Sequence, residues 1–198
     1  MMKTPLKMII IQPLIATLFC SFLFANDTSP LEIVKNRNLT IESILEKEGE
    51  TVSPETREKL KKVINEFMDF NELSRLALGK YWQERTEQEK KEFVEVFSQL
   101  IKNSSVKKLE IYKADRLVYK EPAITGQKAR VTTIAYKERK NVEIVYKMHL
   151  AESQWLVYDI EIDGVSTAIN YRDSFYKEIA KTSYREMYNK LANRLKEE

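Results

Sequence analysis

The side chains able to do chemistry are few and scattered. His149 is the one histidine of the sequence. No serine or threonine sits in a G-x-S-x-G elbow to act as its nucleophile, and no H-E-x-x-H pair is present. It reads as a surface or half-buried imidazole on a strand. Asp159, Glu161 and Asp163 alternate, so on a strand they share a face, where mutual repulsion can raise a carboxyl pKa toward acid/base work. Carboxylates at a sheet rim are more often solvated, capping or paired with Lys and Arg. Cys20 is the lone cysteine, which excludes a disulfide framework and a thiolate zinc site, and a lone His excludes a multi-His metal centre. The four glycines, Gly49, Gly79, Gly126 and Gly164, lie too far apart for a phosphate loop or a dinucleotide fingerprint.

The 198 residues suffice for one or two small domains, and 33 Lys+Arg against 30 Asp+Glu leave no basic footprint for nucleic acid. The stretch with Lys102, Lys107, Lys108, Lys113, Arg116 and Lys120, interleaved with Tyr112 and Tyr119, reads as a solvated face or a weak contact for anionic headgroups. Asn26, Asn38 and Asn103 each open a glycosylation sequon, a pattern short enough to arise by chance. Lys3 and Lys7, the apolar run from Met8 to Phe24 and the polar Asn26-Asp27 after Ala25 follow the order of a secretory signal peptide. Residues 1–25 are therefore expected to be an address. Cleavage near Ala25 would leave a near-neutral, cysteine-free chain that must be held together by its core.

In that chain, residues 31–45 carry Leu31, Val34, Ile41 and Ile44 at helical spacing. Ser53-Pro54 predicts an N-cap and first helical residue, Asp69 with Glu72 a capped short helix that Gly79 stops, and Thr86 with Glu89 a capping box. After about Lys107 the period changes to two, predicting strands at 111–121, 128–138, 142–151 and 154–163 joined as an antiparallel meander. Beyond Gly164 helical periodicity returns. The expected architecture is α+β, one domain over residues 26–198: helices at about 31–106, a curved four-stranded antiparallel sheet at about 111–163, and C-terminal helices at about 165–196. Phe67, Phe70, Leu76, Trp82, Phe93, Phe97, Leu100, Met148 and Trp155 are then either simply the core or the lining of an apolar cavity between helices and sheet, and periodicity does not separate the two.

Two segments carry a resemblance. Phe70-Asn71-Glu72-Leu73-Ser74-Arg75-Leu76-Ala77-Leu78-Gly79-Lys80-Tyr81-Trp82, preceded by Met68-Asp69, is similar to an F-D-F…R-x-A-L-G-x-x-W signature. Trp155-Leu156-Val157-Tyr158-Asp159-Ile160-Glu161-Ile162-Asp163-Gly164-Val165-Ser166 and Asn170-Tyr171-Arg172-Asp173-Ser174-Phe175 resemble W-x-V-x-D-V-x-V-x-G-V-S and N-Y-R-x-x-F signatures. All belong to the Mla-type periplasmic phospholipid-carrier family (MlaC, or toluene-tolerance family), and the resemblance runs from about Leu31 to Leu195. Lys181-Thr182-Ser183 departs from it, since relatives commonly place a glycine there. The resemblance implies a nuclear-transport-factor-like cone with added helices, enclosing an apolar cavity for the tails of a diacyl phospholipid carried as cargo, with no cofactor, no metal and no catalytic residue. Candidate lipid-binding residues are Phe70, Leu76, Trp82, Phe93, Phe97, Leu100, Val131, Tyr146, Met148, Trp155 and Val157, with Arg172 for phosphate. It also implies a monomeric, soluble periplasmic carrier shuttling lipid between an outer-membrane lipoprotein–porin complex and an inner-membrane ABC transporter with an MCE-domain ring. The alternatives are a carrier of another envelope lipid, such as a hopanoid or sterol, a cone-fold enzyme using Asp159 or Asp163 as base, and a partner-binding module with no cavity.

Overall fold

Helix starts fall where the capping chemistry places them. In the computed structural model, which describes residues 29–46, 52–107 and 114–197, Ser29 caps α1 (Pro30–Leu45) through a full capping box with Glu32. Ser53 caps α2 (Pro54–Phe67) by accepting from the Thr56 N–H, and Asp69 caps α3 (Phe70–Leu78) by accepting from the Glu72 N–H. A short 3-10 turn, Gly79–Trp82, follows. Thr86 and Glu89 exchange both bonds of their capping box at the start of α4 (Glu87–Lys107). The expected signal segment and Gly49 lie outside the described residues.

Among the described residues the sheet has six strands where four were expected: β1 (Arg116–Tyr119), β2 (Ala123–Thr125), β3 (Lys128–Lys137), β4 (Lys140–Ala151), β5 (Gln154–Ile162) and β6 (Val165–Ser166). The difference is local. β1 and β2 pair successively along the same antiparallel partner, β3, and Pro122, which has no N–H for the ladder, stands between them. The start of the expected first strand, residues 111–113, lies outside the described residues. β6 adds two residues to the edge of β5. Between β4 and β5, Lys147 pairs with Asp159 but Met148 pairs with Val157, so Tyr158 is the extra residue of a bulge. Beyond it, Met68 bridges Val157 in parallel, which ties the entry of α3 to the sheet edge.

Ser166 caps α5 (Thr167–Lys181), and α6 (Tyr184–Glu197) follows. At the departure noted above, α5 ends on Thr182 at φ −130°, a conformation that does not require glycine. One sheet face carries Ala129, Val131, Ala135, Ile144, Tyr146, Met148 and Val157 against Phe67, Phe70, Leu73, Leu78, Phe93, Phe97, Leu100 and Phe175 of the helices, in one continuous apolar layer. A smaller cluster of Ile41, Leu45, Leu60 and Val106 fastens α1 and α2 to the end of α4. The opposite sheet face is charged, with Lys147 bound to Asp159 and Glu161. Among the described residues no helix is long and apolar enough to cross a membrane.

One tyrosine reports on the helical seam. Tyr184 stands over the Arg85 guanidinium, 4.3 Å from its ring centre. Burial first, and the Glu89 carboxylate second, push its pKa up to about 12. A raised phenol pKa stabilises the fold fully below the ordinary tyrosine value of about 10, and that contribution is lost as pH rises through about 12. Burial raises the Tyr119 and Tyr188 phenols as well, and an ultraviolet absorbance titration should show a late-ionising tyrosine component that loses amplitude near pH 12 in Tyr184→Phe.

Candidate functional site

The two signature segments meet in space. α3 and α5 lie side by side, and the junction is Gly79, at φ 51°, whose absent Cβ would stand 2.3 Å from Tyr176 Oη. That hydroxyl accepts the Lys80 N–H at 2.8 Å, and the Tyr81 and Tyr176 rings meet edge-on at 5.2 Å. Below them Phe97 packs edge-on against Tyr171 and Phe175. The glycine, the tyrosines and the N-Y-R-x-x-F run are thus parts of one close helix contact.

The candidate acids and the imidazole are anchors. Asp159 is 2% exposed. Its Oδ2 accepts from Lys147 Nζ at 2.9 Å and from Ser166 Oγ at 2.6 Å, and its Oδ1 accepts the Ala168 N–H at 3.0 Å. With three donors committed and almost no access, it locks β4, β5 and the start of α5 together. Asp163 is exposed in the turn before β6, where its Oδ1 accepts the Glu143 N–H. His149 Nε2 lies 2.9 Å from Asp69 Oδ2, the carboxylate that caps α3, and its ring meets that of Tyr158. Among the described residues no three His, Cys, Asp or Glu side chains cluster as metal ligands.

The apolar candidates fall together. Phe70, Phe93, Phe97, Leu100, Val131, Tyr146, Met148 and Val157 are buried in the layer between sheet and helices, with Leu76, Trp82 and Trp155 half-buried against it. Arg172 stands apart from them, beside Gly79, with its Nε 3.5 Å from Asp173; its neighbourhood is the α3–α5 seam.

Two polar groups inside this shell escaped the periodicity. Asn38, on α1, is 2% exposed; it donates to Tyr119 Oη at 3.1 Å and accepts from Tyr146 Oη at 3.3 Å. It is a structural amide, closed to glycosylation in the folded chain. Burial first, and the hydrogen bond to Asn38 against it, leave the Tyr119 phenol raised. Lys102, expected on a solvated face, is buried. It donates to Asn65 Oδ1 at 3.2 Å over the Phe70 ring, and burial, with Lys61 adding, lowers its pKa. Ser74 Oγ and Thr133 Oγ1 are buried hydroxyls without a hydrogen-bond partner among the described residues.

The layer reaches the surface at a cleft of about 400 Å³ between α1, the end of α2 and the β4–β5 hairpin. Phe67 and Trp155, both packed on the layer, line it together with Ile33 and Leu156. Its polar side is Asn36, Arg37, Thr40, Glu66, Ser153 and Gln154, and Arg37 is ion-paired to Glu66 at 3.1 Å. Of these residues Phe67 and Trp155 were marked by their sequence context. Arg37 and Glu66 lie on different helices, and only the packing of α1 on α2 makes them neighbours. The site is therefore a half-polar cleft whose apolar wall, Phe67 and Trp155, belongs to the layer between sheet and helices.

This arrangement has relatives. The phospholipid-binding protein from Ralstonia solanacearum, whose structure was solved in complex with a phospholipid, superposes with a TM-score of 0.68 at 19% identity, over 83% of this chain and 93% of that one. It establishes the shared fold. No curated protein matches the chain at significant similarity. The profile of the family described as MlaC protein matches residues 35–193, a span that contains the α3–α5 seam, the Asp159 lock and the apolar layer, and the chain therefore belongs to the MlaC family.

Proposed function

We propose that this chain is a periplasmic phospholipid carrier that shields acyl tails in the layer between sheet and helices and passes lipid between outer-membrane and inner-membrane Mla-type complexes. The observation that carries the reading is the continuity of the apolar layer with the surface at Phe67 and Trp155. Membership of the MlaC family and the phospholipid held by a protein of the same fold support it. Transfer of two tails from a bilayer needs nearly complete replacement of apolar surroundings, because each methylene is worth about 0.8 kcal/mol and a lipid on the order of 25 kcal/mol.

Volume decides what the cleft holds. If a methylene occupies the ~30 Å³ of a water, two tails need on the order of 1,000 Å³, so a cleft of about 400 Å³ accommodates a headgroup and glycerol. The tails must enter by parting the layer, with helices moving off the sheet. The partners in this reading are a diacyl phospholipid, an outer-membrane lipoprotein–porin complex and an inner-membrane ABC transporter with an MCE-domain ring. A carboxylate-base enzyme finds no support, since Asp159 is buried with three donors on it and Asp163 lies in an exposed turn.

Lipid extracted from the purified protein tests the proposal, and its identity separates phospholipid from hopanoid or sterol. Exposure to vesicles of phospholipid with brominated tails should quench tryptophan emission, and Trp155→Phe should remove the larger part of the quench. A protein that yields no lipid and shows no quench is not a carrier.

A further inference from the structure

Arg37 and Glu66 are the charged residues that line the cleft. They face each other from α1 and α2, with Arg37 Nη1 donating to Glu66 Oε2 at 3.1 Å and side chains 30% and 47% exposed. The contact is made by one nitrogen and one oxygen, short of the two-bond fork that a guanidinium can make with an oxyanion. A pair this exposed contributes little to stability, so opening it costs the fold little. A fixed cation and a fixed anion therefore stand a few ångströms apart at the mouth of an apolar interior.

We propose that this pair is a headgroup subsite for zwitterionic phospholipids of the phosphoethanolamine type, with the phosphate on Arg37 and the primary ammonium on Glu66. The inference rests on the carrier reading and adds headgroup selection to it. On loading, the Arg–Glu contact is exchanged for an Arg–phosphate and a Glu–ammonium contact, so no charge in the cleft is left without a partner. An anionic headgroup lacking an ammonium satisfies Arg37 but places its phosphate beside an uncompensated Glu66. A quaternary ammonium has no N–H to give Glu66 and forms the weaker contact. The charges set an order of preference: phosphoethanolamine, then phosphocholine, then phosphoglycerol.

The test uses the full protein incubated with vesicles of equal phosphatidylethanolamine and phosphatidylglycerol, and separately with equal phosphatidylethanolamine and phosphatidylcholine, followed by mass spectrometry of the bound lipid. The wild type should be enriched in phosphatidylethanolamine in both mixtures. Glu66→Gln should lower the ethanolamine-to-glycerol ratio roughly fivefold, the upper end of what one exposed ion pair supplies. Bound lipid in the vesicles' own proportions, or a ratio that Glu66→Gln leaves unchanged, overturns the headgroup subsite and leaves the carrier reading standing. Recovery of no lipid in any mixture overturns both.

Discussion

Gly79→Ala is expected to destabilise the protein by about 2–4 kcal/mol, read as a lower urea midpoint with an unchanged slope. Two costs add. Gly79 sits at φ 51° and ψ −119°, a conformation that side chains with a Cβ avoid, and strain of this kind costs about 1–3 kcal/mol. The new Cβ would also stand 2.3 Å from Tyr176 Oη and 3.2 Å from Arg172 Cδ. Tyr176 does not yield freely, because its hydroxyl accepts the Lys80 N–H and its ring is held against Tyr81. Tyr176→Phe alone should cost about 1 kcal/mol for the lost acceptor. The double variant should cost less than the sum of the two single changes, because it removes the atom that the Cβ strikes first. Additive costs would show that backbone strain alone fixes the glycine.

The contact explains how sequence signatures can be specific and yet silent about mechanism. A-L-G-x-x-W and N-Y-R-x-x-F mark the close approach of α3 to α5, and W-x-V-x-D marks the Asp159 lock; both are devices that hold the layer's walls. Caps were legible because Ser53, Asp69 and Thr86 each act within three residues of themselves. The apolar layer was legible as residues but not as a space, since Phe93 or Met148 has the same spacing whether it meets a neighbour or a lipid tail. Three features were not legible. The break at Pro122 split one expected strand in two. Lys102 read as a surface residue and the burial of Asn38 gave no signal, because each depends on a partner, 37 and 81 residues away. The Arg37–Glu66 pair spans 29 residues, and only the docking of α1 on α2 creates it.

A lipid carrier needs walls that part without unfolding, which makes the fixed points as important as the space they bound. Asp159, buried and holding three donors, is one of them. Asp159→Asn is expected to cost about 2–4 kcal/mol, within or below the range for breaking a buried ion pair because Glu161 still holds Lys147 at 3.0 Å. An asparagine has one accepting oxygen where three donors converge from Lys147, Ser166 and Ala168, so its NH₂ must face at least one of them and leave a buried donor unmet. The pH dependence supplies a second reading of the same lock. Burial lowers the Lys147 pKa, but its hydrogen bonds to Asp159 and Glu161 outweigh burial and raise it above the ordinary lysine value. A raised amine pKa means stabilisation fully present below about pH 10.4 and lost as pH rises through the folded value. Wild-type stability should therefore fall in that alkaline window, and the fall should be shallower in Asp159→Asn. If the variant instead keeps the wild-type midpoint and alkaline slope, Lys147 draws its stabilisation from Glu161, and the start of α5 is held by the Ser166 cap and by the Thr167 hydroxyl, which donates to the Ile160 carbonyl at 2.8 Å.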